Sequence, residues 1–192
     1  DYERGLELAM GLSENYHTSV YIQFTIALCL VQLGRADGAK VHLEMAAFLF
    51  SSCQDSASIE IDTWLAILRL LARTGLTSTA SKLITDHYQK AKWDPESLGE
   101  IKEVNKICLV IEEPALGLQV LDHAFKLYNE TALTSEYLIL VATTAHAADE
   151  TDLEIQSYIK ALEIDPLNTE VHSKLSRFLG RSKNWDMASE HI

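Results

Sequence analysis

Residues that interrupt regular secondary structure are scarce in this chain of 192 residues, which contains only 3 prolines and 8 glycines. Their scarcity leaves room for long helices. Apolar runs recur about every eighteen residues, a spacing typical of helices rather than of short strands. With 47% apolar residues, the chain can bury a sizeable core as one domain or as one continuous array. The sequence therefore predicts an all-α protein.

Segments that direct a protein to a membrane are missing from the sequence. No apolar stretch is both long enough and free enough of charge to cross a bilayer. The first residues also lack the order of basic, apolar and small residues that forms a signal peptide. We therefore predict no membrane partner.

Cysteine is rare, and Cys29, Cys53 and Cys108 are scattered without any Cys-x-x-Cys pair. Each lies in or beside an apolar run, which is typical of a buried, reduced thiol rather than of a disulfide or a metal ligand. Reduced thiols are characteristic of intracellular compartments. The cysteines therefore predict a cytoplasmic or nuclear location.

Positive charge is in short supply, because 16 basic residues face 28 acidic residues and give a net charge of −12. A surface of this sign repels duplex nucleic acid. The sequence also has no basic stripe interleaved with aromatic residues, the usual mark of an RNA-binding face. The composition argues against a nucleic-acid partner.

Motifs that carry out catalysis or hold cofactors are missing as well. The seven histidines form no His-Glu-x-x-His pattern, and no Gly-x-Ser-x-Gly nucleophile turn is present. The glycines of "GRADG", residues 34–38, lack the preceding strand that a phosphate-binding loop needs. We therefore predict a protein that is not an enzyme and has no catalytic, cofactor-binding or metal-binding residues.

What the sequence does contain is a repeated order of apolar and small residues. In "FTIALCLVQLGRADGAKVHLEMAAFL", residues 24–49, one apolar helical face precedes Gly34 and a second stripe of apolar and small residues follows it. The same order returns four times along the chain. Aligned on it, the repeat starts lie near Val20, Ile61, Leu98, Ser135 and Thr169. Successive starts are 41, 37, 37 and 34 residues apart, periods typical of helical-hairpin arrays.

This order, and above all "YLILVATTAHAADETDLEIQSYIKALEIDPLN" at residues 137–168, resembles the tetratricopeptide repeat, a helix-turn-helix unit. The resemblance covers most of the chain and is loosest in the third unit. It implies an α-solenoid of stacked antiparallel hairpins. Local helix-start and helix-stop signals predict about eleven helices, and Asn184 can cap the last of them. Leu68 and His87 depart from it because they occupy positions that usually hold small residues, and Glu154 replaces the usual alanine.

The domain organisation follows from the missing linkers. No glycine- or serine-rich segment separates the repeats, so we predict one helical-repeat domain over residues 1–192. Residues 1–14 have the pattern of the second helix of a hairpin, and residues 184–192 stop inside another such helix. We therefore expect the chain to be a segment of a longer solenoid, with flanking repeats or other subunits at both ends. The alternative is that both terminal helices act as caps.

The resemblance also implies where a partner would bind, because the first helix of each hairpin lines the concave groove of such arrays. The 30 positions expected to line the groove carry seven basic and four acidic residues, against the excess of acid elsewhere. The candidate partner-binding residues are Tyr21, Phe24, Leu28, Val31, Arg69, Arg73, Lys102, Lys106, Lys174 and Arg177.

Two other interpretations of these residues remain open. The four apolar side chains on the first of these helices would instead pack beneath a preceding repeat. The basic side chains would instead form a solvated face, paired with neighbouring acids.

A positively charged groove in an acidic protein attracts an acidic or amphipathic segment of a protein partner. The resemblance does not extend to the repeats that clamp the acidic tails of chaperones, because Lys106 and Leu140 stand where those repeats have asparagine. We therefore predict a scaffold or adaptor segment within a multi-subunit assembly. The alternative is a regulatory or sensor array attached to an enzymatic or DNA-binding domain outside this chain.

Overall fold

The computed structural model of the chain describes residues 1–52, 61–88, 98–128 and 134–181. Within these ranges all regular secondary structure is helical, and there are ten helices. They are α1 (Tyr2–Tyr16), α2 (Val20–Gln32), α3 (Ala36–Ser52), α4 (Ile61–Arg73), α5 (Thr77–Tyr88), α6 (Leu98–Val110), α7 (Pro114–Tyr128), α8 (Ser135–Ala147), α9 (Thr151–Ile164) and α10 (Thr169–Arg181). The prediction of an all-α fold of helix hairpins is confirmed. The eleventh helix, expected after Asn184, lies outside the described residues.

Helix boundaries follow the repeat pattern of the sequence. The helices α2, α4, α6, α8 and α10 begin at Val20, Ile61, Leu98, Ser135 and Thr169, the positions at which the repeats were expected to start. Asp165 and Pro166 directly follow the last residue of α9. Each of the first four hairpins therefore consists of a first helix that starts at a repeat boundary and a second helix that follows after a short turn.

The described residues form two compact units. The first contains α1 to α5 together with residues 110–113, and the second contains residues 98–109 of α6 and the helices α7 to α10. The single domain over residues 1–192 stays a prediction.

The core of the first unit is built from the apolar stripes of its helices. In α1, Leu6 and Ala9 pack on Ile26 and Cys29 of α2. The stripe residues of the first two hairpins are fully buried: Ile26, Ala27, Ala39, Leu43, Ala46, Trp64, Ile67, Leu68, Leu71, Ala80 and Ile84. The imidazole of His87, at a position usually held by a small residue, lies 5.0 Å from the ring of Phe50 and 4.7 Å from that of Trp64. Larger side chains thus replace small ones here within a packed aromatic cluster.

The core of the second unit combines apolar stripes with a few buried hydrogen bonds. The helices α8, α9 and α10 bury an apolar cluster between them, which includes Leu138, Ala142, Ala161 and Leu175. The hydroxyl of Tyr137 donates to the carbonyl oxygen of Leu121 at 2.6 Å. Cys108 is buried, as is Cys29 in the first unit, which agrees with the expectation of buried cysteines at these two positions. Cys53 lies outside the described residues.

A residue with left-handed backbone conformation occupies the turn in each of the first four hairpins. Gly34 and Gly75 have φ of 75° and 76°, and Glu112 and Asp149 have φ of 62° and 58°. Each stands two positions after the last residue of the first helix. In the turns at Gly34, Gly75 and Asp149, the next residue donates its backbone N–H back across the helix end, as in a Schellman motif. The hairpins therefore share one turn geometry, whether or not glycine is present.

The left-handed conformation of Glu112 is costly for a residue with a Cβ atom. We expect Glu112→Gly to raise the free energy of unfolding by about 1 kcal/mol, because glycine adopts this conformation without steric conflict. Glu113→Gly is the matched control, since residue 113 does not have a positive φ. Thermal unfolding followed by circular dichroism checks both variants, and an equal change in the two would contradict the explanation.

Helices of the second unit pack closely at Gly117 of α7. A Cβ atom at this position would lie 2.6 Å from Oδ1 of Asn105 and 3.1 Å from Cγ2 of Thr144. Asn105 is fully buried and its Nδ2 donates to Oγ1 of Thr144 at 2.8 Å, so its amide is held in place. The helices α6, α7 and α8 can therefore meet here only because residue 117 lacks a side chain.

We expect Gly117→Ala to lower the free energy of unfolding by about 1–3 kcal/mol, because the added methyl group displaces the buried amide of Asn105. This loss exceeds the gain of about 1 kcal/mol that alanine brings to a helix. Gly11→Ala in α1 is the control, since a Cβ atom there meets nothing within 4 Å and only the helix-propensity gain remains. Chemical denaturation of both variants measures the two opposite shifts.

Candidate functional site

The four apolar candidates in α2 share the face of that helix that its neighbours leave accessible. The preceding helix α1 packs on Ile26 and Cys29, which lie on another face of α2. Tyr21 is 48% exposed, and Phe24, Leu28 and Val31 are half-buried. The first unit therefore presents an apolar stripe on α2 that a partner can reach.

The basic candidates of the first unit lie on α4. Arg69 and Arg73 are both exposed and stand one helical turn apart, so they project from the same face. Their positions agree with a cationic helix face, and their role in binding stays a prediction.

On α6, in the second unit, the two lysines differ in their surroundings. Lys102 forms an ion pair with Glu136 of α8, as the interpretation of a solvated face paired with acids predicts. Lys106 is exposed and forms no ion pair with any residue that the structure describes. The two lysines are therefore not equivalent as binding residues.

The structure brings Lys174 and Arg177 together in a cleft of about 320 Å³ in the second unit. The helices α8 and α10 form its walls and α9 its floor. Besides these two candidates, the lining residues are Thr143, His146, Glu154, Tyr158 and Phe178. Two cationic side chains, a tyrosine and a phenylalanine thus face one open cavity.

Internal contacts leave Arg177 as the available cation of the cleft. Nζ of Lys174 forms an ion pair with Oε1 of Glu170 at 2.8 Å and lies 5.9 Å from the centre of the Tyr158 ring. The hydrogen bond from Lys174 lowers the pKa of Glu170, so this carboxylate is charged and engaged. Arg177 donates only to Oγ of Ser173, at 3.3 Å, and has no acidic partner within the described part of the chain.

Residues that the sequence analysis did not select complete the floor of the cleft. Oε2 of Glu154, a buried carboxylate, lies 3.1 Å from Nδ1 of His146, whose side chain is 65% exposed. Tyr158 is buried, and this burial raises its pKa to about 12, with the negative charges of Glu154 and Glu170 contributing. The sequence signals for these residues were the departure from alanine at Glu154 and the position of His146 among those expected to line the groove.

Comparison with solved structures identifies the fold. The TPR protein YrrB, described as having an unusual peptide-binding site, is 14% identical, with a TM-score of 0.53 over 97% of this chain and 89% of that one. MamA from Desulfovibrio magneticus RS-1, residues 41 to the end, is 17% identical, with a TM-score of 0.51 over 90% of both chains. The C-terminal part of a TPR repeat-containing protein from Cytophaga hutchinsonii is 16% identical, with a TM-score of 0.58 over 99% of this chain and 71% of that one.

The chain has a tetratricopeptide-repeat fold. No protein-family model matches the sequence, and no curated protein matches it either. At identities of this size the likeness concerns the fold and not the choice of partner. The first helices of the TPR-like hairpins carry all ten candidate residues, and Lys174 and Arg177 are the two that line the cleft between α8 and α10.

In the described ranges of the TPR-like chain, no helix is long and apolar enough to span a bilayer. Within the same ranges, no three histidine, cysteine or acidic side chains are grouped so that they could hold a metal ion.

The raised pKa of Tyr158 predicts a pH dependence of stability. The unfolded chain loses the phenolic proton near about pH 10, whereas the folded protein keeps it up to about pH 12, so the free energy of unfolding falls across this window. We expect wild type to lose up to about 1.4 kcal/mol per pH unit more than Tyr158→Phe there. Denaturant titrations between these pH values measure the difference, and parallel curves for the two proteins would contradict it.

Proposed function

We propose that this chain is a non-catalytic protein-interaction module and that the cleft between α8 and α10 binds an acidic segment of a partner protein. The observation that carries the proposal is that Lys174 and Arg177 line one open cleft, with the Lys174 ammonium group over the Tyr158 ring. The peptide-binding site attributed to YrrB, which shares the fold, supports a peptide-like ligand.

Electrostatics favour an acidic ligand at this place. In a protein with a net charge of −12, most of the surface repels an acidic segment, so a local cationic cleft steers it to one position. Neither acid beside the cleft contacts Arg177 directly, because Glu154 lies against His146 and Glu170 pairs with Lys174, whereas Arg177 bonds to Ser173. The guanidinium of Arg177 can therefore donate two parallel hydrogen bonds to a carboxylate of the ligand.

Apolar surface in the cleft adds a second requirement on the ligand. Phe178 is half-buried in the lining and offers this surface, whereas the Tyr158 ring is already buried beneath the Lys174 ammonium group. A ligand that places an apolar side chain next to its carboxylates would bury this surface as well. We therefore favour a mixed acidic and apolar segment over a purely acidic one.

The wider role that we propose is that of a scaffold or adaptor segment in a multi-subunit assembly in the cytoplasm or nucleus. The apolar stripe on α2 and the arginines on α4 would then supply further contacts to the partner. A regulatory array attached to an effector domain remains the alternative prediction. In that case too, the cleft would bind an acidic segment.

We expect Arg177→Glu to weaken binding of short acidic peptides about tenfold or more, because it removes a charged hydrogen-bond donor and adds repulsion. The measurement is fluorescence anisotropy with labelled peptides of graded acidic content, repeated at low and high salt. Wild-type affinity should fall with added salt.

Lys82→Glu in α5 is the matched control, since it makes the same charge change at an exposed lysine far along the chain from the cleft. Equal losses for Arg177→Glu and Lys82→Glu would mean that only the overall charge matters. Saturable binding that neither variant weakens would overturn the assignment of the cleft.

A further inference from the structure

A second concavity of the second unit lies between α7 and α9 and has a volume of about 400 Å³. We call it the α7/α9 groove. Its floor is formed by Tyr137, Leu138 and Val141 of α8, and its walls by side chains of α7 and α9. The candidate residues from the sequence do not include any of its lining. The groove is therefore a feature that the proposed function does not use.

The lining of the α7/α9 groove is mainly apolar. Leu118 and Phe125 of α7 and Val141 of α8 are half-buried, and Leu153 of α9 is 38% exposed. Partly exposed apolar side chains around a concave surface are typical of binding sites for a partner that brings its own apolar side chains. The groove, at about 400 Å³, falls within the range of about 300–1,000 Å³ that is typical of ligand pockets.

The groove and the cationic cleft lie on opposite faces of the α8 helix. Residues 137, 138 and 141 face the groove, whereas Thr143 and His146 face the cleft. At about 100° of rotation per residue, the two sets of positions point roughly half a turn apart. A substitution in one cavity therefore leaves the lining of the other unchanged.

The walls of the groove favour a helical ligand. Three α-helices surround it, and their backbone N–H and C=O groups are already paired within the helices. An extended peptide would bury its own backbone groups here without partners, which costs free energy. A helix satisfies its backbone internally and needs to offer only side chains.

The charged side chains at the rim of the groove indicate which charge the ligand helix should carry on its flank. Asp122 on α7 is engaged, because Nζ of Lys126 lies 2.5 Å from its Oδ2. Lys160 on α9 lines the groove, is exposed, and has no ion pair within the described ranges. Asp152 and Glu163 lie on the same helix outside the lining. The uncompensated charge of the lining is therefore positive and matches an acidic side chain.

We propose that the α7/α9 groove is a second protein-docking site, which binds an amphipathic helix of a partner protein. The helix presents large apolar side chains about one turn apart to Leu118, Phe125 and Leu153, and an acidic residue on its flank to Lys160. The site is independent of the cleft between α8 and α10, so the two sites can hold two segments of one partner or two partners.

The test uses a displayed library of hydrocarbon-stapled helical peptides with two large apolar side chains one turn apart and randomised flanks. We expect selection on the wild-type chain to enrich peptides with an acidic flank. Their affinity should fall at least about tenfold on Leu153→Asp, and about threefold to tenfold on Lys160→Glu.

Ile159→Asp in α9 is the matched control, because Ile159 is 39% exposed, almost as much as Leu153, but does not line the groove. Neither Ile159→Asp nor Arg177→Glu should change the affinity for the selected helical peptides. Because Lys160 is exposed, Lys160→Glu keeps the test valid if Leu153→Asp fails to fold. The cleft is tested separately, by the effect of Arg177→Glu on the binding of acidic peptides, so either proposal can fail without the other.

Three outcomes would overturn the docking site. In the first, the library yields no peptide whose binding depends on Leu153 or Lys160. In the second, the unstapled, extended forms of the peptides bind as well as the stapled forms. In the third, sedimentation velocity shows that the wild-type chain self-associates and that Leu153→Asp abolishes this self-association. The occupant would in that case be a second copy of this chain.

Discussion

The rest of this structure depends on one interaction, in which each helix buries an apolar stripe against the helices that precede and follow it. A single hairpin cannot cover its own stripe, so Leu43 and Trp64 in the first unit and Leu138 and Leu175 in the second are buried only by neighbouring helices. Within the second unit this arrangement leaves α8 and α9 with two faces. One forms the cationic cleft with α10, and the other forms the apolar groove with α7. Both candidate sites are thus consequences of how helices are shared between neighbouring pairs.

Much of this fold can be predicted from the sequence, because helix formation and burial depend on local patterns. The spacing of apolar and small residues gave the first residue of each first helix and the buried stripe residues such as Ile26 and Ala80. The turns were predicted less completely. Gly34 signals a left-handed residue, but Glu112 and Asp149 adopt the same conformation without any glycine, because the flanking helices impose it.

The candidate site is harder to predict, because it depends on side chains that are distant in sequence. The repeat register placed Lys174 and Arg177 on an accessible helix face. It could not reveal that Tyr158 lies beneath Lys174, that Glu170 engages that lysine, or that Glu136 engages Lys102. These contacts depend on the distances between helices, and pattern alone does not contain them. The α7/α9 groove was not predicted for a related reason. The family resemblance implies binding positions on the first helices, whereas Lys160 and Leu153 belong to a second helix.

The first helices of the first four hairpins all have the same length. Each of α2, α4, α6 and α8 contains 13 residues, and the left-handed residue follows at the same distance, although the repeats differ in period. The variation in period therefore falls entirely after the turn, in the second helix and the segment leading to the next repeat. Over evolutionary time, insertions and deletions in this chain would be accepted in that half of each repeat. In the other half, each inserted or deleted residue would rotate the side chains that follow it by about 100° around the axis of that helix and move them off its accessible face.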